Sequence, residues 1–279
     1  MNWRNITFVL ALCSSAGTWA ETIDIRFIVS EDLGRTAAQQ QTTRATLQKY
    51  VAELNGYYRN SEVELNAEIV QVEFARIVAV DDVQIIDDMA HERNGFEVMF
   101  QKAHEYGADY TVAMVGKLLV FGKPGCGRAY AVNQSVEAIS STRKAFAVVN
   151  FVCGAHTLAH ELGHLMGLNH GALVAQCRHD KTNTSAITPY ANGYAEGNCD
   201  GKPQLGEFGD IMVGGGMREI NGANKNELRI FSNPRIHDER CGNNKTCGDT
   251  ASGDAARALN ENAHFYASHE KHVAQTPNY

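Results

Sequence analysis

The regular pattern of the chain begins with a period of two, since every second position of residues 23–29 is apolar. The same alternation returns over residues 63–74. Alternating apolar positions predict β-strands. Residues 110–115 and 145–150 are short and almost entirely apolar, which is typical of strands covered on both faces. The first half of the chain is therefore expected to build a sheet.

Helical spacing fills the intervals between these strands. Within residues 36–55, apolar residues recur three or four positions apart, which predicts an amphipathic helix. Residues 81–106 are predicted to be helical and to end at Gly107. Further helices are predicted from about residue 155 to 168 and over residues 252–270.

Between the strands predicted at 110–115 and 145–150, residues 128–133 follow a glycine-rich turn and predict an edge strand. The second half of the chain has a different character. Residues 171–250 are rich in Gly, Asn and Asp and have little periodicity, so they are expected to be mostly loop. The simplest interpretation is an α/β (α+β) protein with one domain over residues 21–279, whose lobes span about 21–170 and 171–279.

Residues 1–20 form a separate segment at the N-terminus. Arg4 precedes a short apolar run, and Ala20 supplies the small residue that a signal peptidase requires. This pattern predicts a cleaved secretory signal peptide, and hence a secreted protein, extracellular or periplasmic in a Gram-negative host. A buried N-terminal helix is the alternative. Cleavage would leave 259 residues with a formal net charge of −8.

Composition excludes several classes of protein. The 279 residues are 44% hydrophobic and 20% charged, which is too apolar for a disordered chain. The formal net charge of −7, without a basic run, is a poor match for nucleic acid. No stretch after the N-terminus is long and apolar enough to predict a membrane span.

The cysteines indicate an oxidising compartment. Cys13 would leave with the signal peptide, and six cysteines would remain. An even number in an exported protein predicts three disulfides, although sequence alone does not fix their pairing. The six are Cys126, Cys153, Cys177, Cys199, Cys241 and Cys247.

The strongest chemical signal lies in residues 160–170, which follow the pattern H-E-x-x-H-x-x-G-x-x-H. His160 and His164 are four residues apart, so a helix places both rings on one face, where they can bind one Zn²⁺. Glu161 lies beside the first ligand without being one itself. It is therefore the predicted general base for a water molecule activated by zinc.

His170 completes the predicted ligand set. On a continuous helix it would lie roughly 9 Å along the axis from His164 and on another face. The chain must therefore turn, and Gly167 is suited to the turn because glycine accepts the left-handed conformation that ends helices. Three histidines leave the fourth tetrahedral position open, as in catalytic zinc sites.

His156 is an alternative ligand, because it precedes His160 by four residues. If these two formed the pair, no acid would directly follow the first ligand. We therefore interpret His156 as structural and keep His160, His164 and His170 as the metal ligands.

These residues resemble the signature of the metzincin zinc metallopeptidases. That signature includes a methionine turn beneath the metal, and the resemblance assigns the turn to Met212, with Met217 as the second choice. It implies a two-lobed catalytic domain. A twisted, mostly parallel sheet with an antiparallel edge strand and helices would precede a loop-rich C-terminal lobe with a terminal helix.

Further stretches are similar to the reprolysin-like branch and its secreted bacterial relatives, including peptidyl-Asp-type endopeptidases. They are residues 126–130, 145–153, 231–234 and 256–261. Two positions depart from related patterns. Gly214 stands where astacin-like and serralysin-like members have a tyrosine that can bind zinc. Gly171 follows His170 where reprolysin-like members usually have aspartate, so the subfamily stays open.

The resemblance also concerns the cysteines. Residues 124–127 are similar to the cysteine switch that silences some relatives from a propeptide, but here they lie inside the catalytic domain. The first strand begins soon after the predicted cleavage site, so no sizeable prodomain is expected. The preferred disulfide is Cys126–Cys153, with Cys177–Cys199 and Cys241–Cys247 as further expectations.

The resulting expectation is a secreted, monomeric zinc endopeptidase that hydrolyses proteins or peptides and holds one catalytic Zn²⁺. Two alternatives stay open: a metzincin-fold toxin or binding module with weak or no proteolysis, and a zinc hydrolase of cell-wall peptides. Loops at 180–200 and 238–250 are rich in Asn and Asp, but no Ca²⁺-loop spacing supports a calcium site there.

Overall fold

The computed structural model describes residues 20–130, 143–178, 186–222, 226–242 and 245–273. Its main sheet has five strands: β1 (Glu21–Ser30), β2 (Leu65–Ala75), β3 (Tyr110–Val115), β6 (Gly127–Ala129) and β7 (Phe146–Asn150). Their order across the sheet is β2–β1–β3–β7–β6. The first four strands in this order are parallel, and β6 is antiparallel to β7 at the edge. The mixed, mostly parallel sheet confirms the predicted fold class.

Helices cover both faces of this sheet. They are α1 (Ala37–Asn60), α2 (Asp82–Ala90), α3 (Met99–Tyr106) and α4 (Gly154–Leu165). Strand residues alternate between two cores: Phe27 and Val112 pack with α1 and α4, whereas Ile28 and Ala113 pack with α2 and α3. Burial on both sides explains why β3 and β7 are apolar with little alternation.

The prediction of a single helix over residues 81–106 is wrong, because the chain leaves the helical conformation between α2 and α3. The backbone there has positive φ at four positions, namely Glu92, Asn94, Gly95 and Val98. The carboxylate of Asp88 accepts hydrogen bonds from the side chains of Arg93 and Asn94 after the chain has left the helix. Phe96 is nevertheless buried, so the apolar spacing continues across the break and conceals it in the sequence.

Short elements make up the C-terminal half, in agreement with the loop-rich prediction. They are α5 (Ala172–Arg178), β8 (Ala195–Glu196), β9 (Phe208–Gly209), α6 (Met217–Asn221), β10 (Asn233–His237), β11 (Thr246–Cys247), α7 (Ala255–Glu261) and α8 (Ala263–Tyr266). The predicted terminal helix is therefore two short helices with a break at Asn262. A hairpin of β4 (Leu119–Val120) and β5 (Lys123–Pro124) precedes the edge strand.

Three disulfides join the six cysteines as Cys126–Cys153, Cys177–Cys199 and Cys241–Cys247. These are the pairs expected from the resemblance. The first bond links the residue before β6 to the residue before α4, so it fastens the edge strand to the helix that holds the histidine motif.

Some predictions fall outside the described residues. These include nearly all of the proposed signal peptide, residues 1–19, and positions 131–133 of the predicted edge strand. Within the described ranges, no helix combines the length and the apolar character needed to cross a membrane.

Candidate metal centre and active site

Three imidazoles converge at the C-terminal end of α4. The Nε2 atom of His164 lies 3.0 Å from that of His160 and 3.2 Å from that of His170, and the remaining pair is 3.2 Å apart. Among the described residues, these three form the one group of at least three His, Cys, Asp or Glu whose donor atoms could hold a metal ion.

A glycine turn brings His170 to the other two histidines. Gly167 has a φ of +83°, and α4 ends at Leu165 rather than at the predicted residue 168. The amide of Gly167 donates to the carbonyl of His164, and the amide of Leu168 donates to the carbonyl of Gly163. These two bonds are those of a Schellman motif, which reverses the chain after the second histidine.

Backbone carbonyls fix the orientation of two rings. Nδ1 of His160 lies 2.8 Å from the carbonyl oxygen of Ile211, and Nδ1 of His164 lies 3.0 Å from that of Leu168. Because a carbonyl oxygen only accepts hydrogen bonds, each Nδ1 must carry the proton. Each Nε2 then presents a lone pair toward the centre of the triad.

The donor set fits a divalent metal ion. Burial lowers the pKa values of His160 and His164, so both rings are neutral at neutral pH. Lone pairs of neutral imidazoles repel one another at 3 Å unless a cation lies between them. Nδ1–H groups bonded to carbonyls are the usual second shell of metal-binding histidines. A group of three imidazole nitrogens suits zinc among common metals.

The side chain of Glu161 extends from α4 toward the edge strand β6. Its carboxyl group is packed so closely on Gly127 that a Cβ at position 127 would lie 2.5 Å from Oε1. Burial raises the pKa of Glu161 to about 8, while the backbone N–H of Ala129 and the charge of Arg128 oppose this shift. In this protein environment the carboxyl group therefore keeps its proton to a higher pH than an exposed glutamate does.

An ion pair supports the edge strand from the opposite face of the sheet. Asp82 is the first residue of α2, and its carboxylate is fully buried. Nη1 of Arg128 donates to this carboxylate at a distance of 2.7 Å. The same guanidinium lies over the ring of Phe121. Arg128 points away from Glu161, because its neighbours Gly127 and Ala129 face α4.

Met212 packs beneath α4, in contact with Gly163. A Cβ at position 163 would lie 2.4 Å from its sulfur atom, so only glycine allows this approach. Met217, the second choice for the methionine turn, packs in another cluster with Val174 and Ile220. The side chain of Asp210 accepts hydrogen bonds from the amides of Val213 and Ser232, which ties the turn around Met212 to the segment that contains Ser232.

Gly214 is part of the wall around His160. Its φ and ψ are 55° and −140°, and a Cβ there would lie 2.8 Å from Cε1 of the imidazole. His156 lies outside the triad, and its Nε2 is buried without a hydrogen-bond partner among the described residues. No local sequence pattern indicated the contacts of Gly127, Gly163 and Asp210, because each depends on a residue distant in the chain.

Comparison with known families agrees with this geometry. A model described as metallopeptidase family M12B, reprolysin-like, matches residues 44–171. The match covers 128 of the 279 residues, so this part of the chain is similar to reprolysin-like metallopeptidases. The matched range includes the sheet strands β2, β3, β6 and β7 and the complete histidine motif.

Curated relatives of this chain are called peptidyl-Asp metalloendopeptidases. One from Pseudomonas aeruginosa strain PAO1 is 27% identical over 267 residues, covering 92% of this chain and 42% of the relative. Another from Stenotrophomonas maltophilia strain K279a is 28% identical over 229 residues, covering 80% and 47%. The chain thus spans less than half the length of these relatives.

A solved structure also shares the fold. A chain from the structure of a chaperone–substrate complex superposes with a TM-score of 0.63 and 18% identity, covering 91% of this chain and 36% of the other. At this identity the likeness concerns the fold alone.

Proposed function

We propose that this chain is a secreted zinc-dependent endopeptidase with Glu161 as its general base. The observation that supports the proposal is the convergence of three Nε2 atoms near a buried carboxyl group on α4, the helix that carries His160 and His164. Nε2 of His160, His164 and His170 would hold the ion. Bound there, Zn²⁺ would act as a Lewis acid and lower the pKa of a water ligand towards neutrality.

The protein's own residues account for the remaining steps. Glu161 would accept a proton from the attacking water and pass it to the leaving amine. An extended peptide would lie along β6, whose other side is paired with β7, and would bond to its backbone as an added strand. The contact between Gly127 and Glu161 would set the distance from this peptide to the base.

Export and substrate are parts of the same proposal. Three disulfides favour an oxidising compartment, extracellular or periplasmic. The relatives' name makes peptides that contain aspartate the first substrates to test. The substrate would be a protein or peptide, and the working unit a monomer.

A peptide-library assay on protein with a measured zinc content tests the proposal. We expect one zinc ion per chain, cleavage that chelators abolish, and a loss of activity of about 10³-fold or more in Glu161→Gln, since a base lost at the reaction centre removes its whole contribution. Glu53→Gln, on the exposed side of α1, is the matched control and should keep full activity.

Other outcomes would favour the alternatives. Zinc binding with peptide binding but no cleavage would indicate a toxin or binding module. Cleavage confined to cell-wall peptides would indicate a different hydrolase. Equal activity of Glu161→Gln and wild type would contradict the assignment of the base.

A further inference from the structure

A cavity of about 530 Å³ lies at the carboxyl ends of strands β1, β2 and β3. It is lined by residues 30–32, 35, 76–80 and 115–117, which end β1 and β3 or follow the three strands. The volume is within the range of small-molecule binding sites. The three histidines and Glu161 are not among the lining residues, so the cavity is separate from the candidate metal centre.

The connections between the strands explain why the cavity forms at this end of the sheet. The chain leaves β1 through α1 toward β2, whereas it leaves β3 in the opposite direction, toward β7. Since β1 and β3 are adjacent and parallel, the segments that follow them separate and leave a crevice. In open α/β sheets, a crevice of this kind at the carboxyl ends of the strands is where ligands bind.

Five charged side chains line this crevice, three of them cationic and two acidic. None of the five forms an ion pair with another residue in the described ranges. Three cations against two acids leave a formal charge of +1, so an anionic ligand would find cations without partners. The five residues are Glu31, Asp32, Arg35, Arg76 and Lys117.

Both arginines enter the cavity from the side of β2. Arg76 directly follows the last residue of this strand. Arg35 follows Gly34, which is packed so closely on Phe74 of β2 that a Cβ at position 34 would lie 2.2 Å from Cε1 of the ring. Two guanidinium groups are therefore available on one side of the cavity.

Asp32 lies on the other side, against the segment that follows β3. A Cβ at position 116 would come within 2.4 Å of Oδ2 of Asp32, so this approach requires the glycine at that position. Lys117 is the next residue in the chain and lines the cavity on the same side. The carboxylate of Asp32 is thus separated from the two arginines by the width of β1.

An apolar wall accompanies the charged groups. Val78 and Val80 line the cavity and are 69% and 37% exposed, respectively. Contact with an apolar group would remove this surface from water, which is favourable. The cavity therefore combines cations with apolar surface, as sites for amphipathic small molecules do.

We propose that this cavity binds a small organic anion, whose carboxylate or phosphate group is held by Arg35 and Arg76. Its apolar part would cover Val78 and Val80. The planar guanidinium group donates two parallel hydrogen bonds to either kind of anion, and such charge-assisted bonds are stronger than neutral ones. The inference goes beyond the proposed peptidase function and does not depend on it.

Calorimetric titrations of the full chain with hexanoate, hexyl phosphate and neutral hexanamide provide the test. We expect at least one anion to bind with a Kd about 10- to 100-fold lower than that of hexanamide, in line with the strength of hydrogen bonds to charged groups. The anion with the lower Kd identifies the preferred group. Arg35→Gln and Arg76→Gln should each lose most of this preference. Arg59→Gln, in the last turn of α1 and far from the cavity, is the matched control.

Nuclear magnetic resonance locates the bound anion. Amide shifts on titration should be confined to residues 30–35, 76–80 and 115–117, and should be the same in Glu161→Gln, whatever its peptidase activity. Both arginines are exposed, so their variants should keep the melting temperature of wild type. Absence of anion binding, equal binding of hexanamide, shifts at the histidine motif instead, or an unchanged preference in both arginine variants would overturn the inference and leave the peptidase assignment untouched.

Discussion

The carboxyl group of Glu161 lies directly against the Cα of Gly127. A Cβ at position 127 would come within 2.5 Å of Oε1, 2.7 Å of Cγ and 2.8 Å of Cδ of the glutamate. The edge strand β6 and the helix α4 are therefore in contact through a residue without a side chain. Any larger residue at position 127 must displace the carboxyl group or the strand.

Gly127→Ala tests this contact. We expect kcat/KM to fall about 100-fold, because a displacement of about 1 Å at a reacting group costs that much. Zinc content and melting temperature should stay close to those of wild type, since the methyl group meets a side chain rather than backbone. Gly56→Ala in α1 is the control, because its Cβ would meet only the end of the Arg59 side chain, at 3.9 Å. Wild-type turnover in Gly127→Ala would show that the carboxyl position is not critical.

Gly214→Ala should weaken metal binding. The backbone conformation at Gly214 is unfavourable for an L side chain by about 1–3 kcal/mol, and the new Cβ would press on the ring of His160. Competition with a chromogenic chelator measures zinc affinity, and a thermal scan measures stability. Gly215→Ala is the matched control, because nothing lies within 4 Å of its Cβ. Equal zinc affinity for the two variants would argue against the contact with His160.

Tyr266→Phe should destabilise the end of α4. The Tyr266 hydroxyl donates a buried hydrogen bond of 2.7 Å to the carbonyl of Met166, the residue that follows the helix. Removing the donor leaves a buried acceptor unsatisfied, at a cost of about 1–2 kcal/mol in the free energy of unfolding. Urea unfolding measures this change. Because His170 depends on the same turn, zinc affinity should fall as well, and an unchanged unfolding midpoint would contradict the argument.

His272 should make stability depend on pH. Its Nδ1 lies 2.6 Å from the buried carboxylate of Asp24, and the charges of Glu68 and Asp109 act in the same direction. The hydrogen bond to Asp24 and these charges raise the pKa of His272 above 6.5 in the folded protein. The stabilisation is thus fully present below pH 6.5 and is lost as pH rises through the folded-state pKa.

We expect His272→Asn to lower the free energy of unfolding at pH 6 by less than about 1 kcal/mol, because the ring is more than half exposed. At pH 9 the variant and wild type should be alike. Urea unfolding at the two pH values provides the measurement, with the exposed His237→Asn as control. A difference of the same size at both pH values would mean that the charge of His272 is not involved.

Local patterns predicted most of the sheet and the ligand positions. Alternation predicted β1, and the apolar runs predicted β3 and β7, because burial of strands leaves a direct mark on residue type. The spacing of His160, Gly167 and His170 sufficed to place the turn after the second histidine, since a helix ending needs only neighbouring residues.

Long-range contacts could not be predicted in the same way. Gly163 and Met212 are in close contact although they lie far apart in the chain. The residues around either one contain no pattern that predicts this contact. The break after α2 was missed for a related reason: Phe96 is buried against the sheet although its neighbours have left the helix. The spacing of apolar residues indicates which positions are buried. Between α2 and α3 a residue is buried although the backbone is not helical.

The Cys126–Cys153 disulfide forms only when both thiols are oxidised, whereas the positions of the three histidines do not depend on this bond. It closes a loop whose two ends lead into the edge strand and into the helix that bears Glu161. A newly made, reduced chain could thus present its imidazoles to a metal before the base and the strand are held at a fixed separation. Formation of this disulfide, which needs an oxidising environment, would then hold the base and the strand in place.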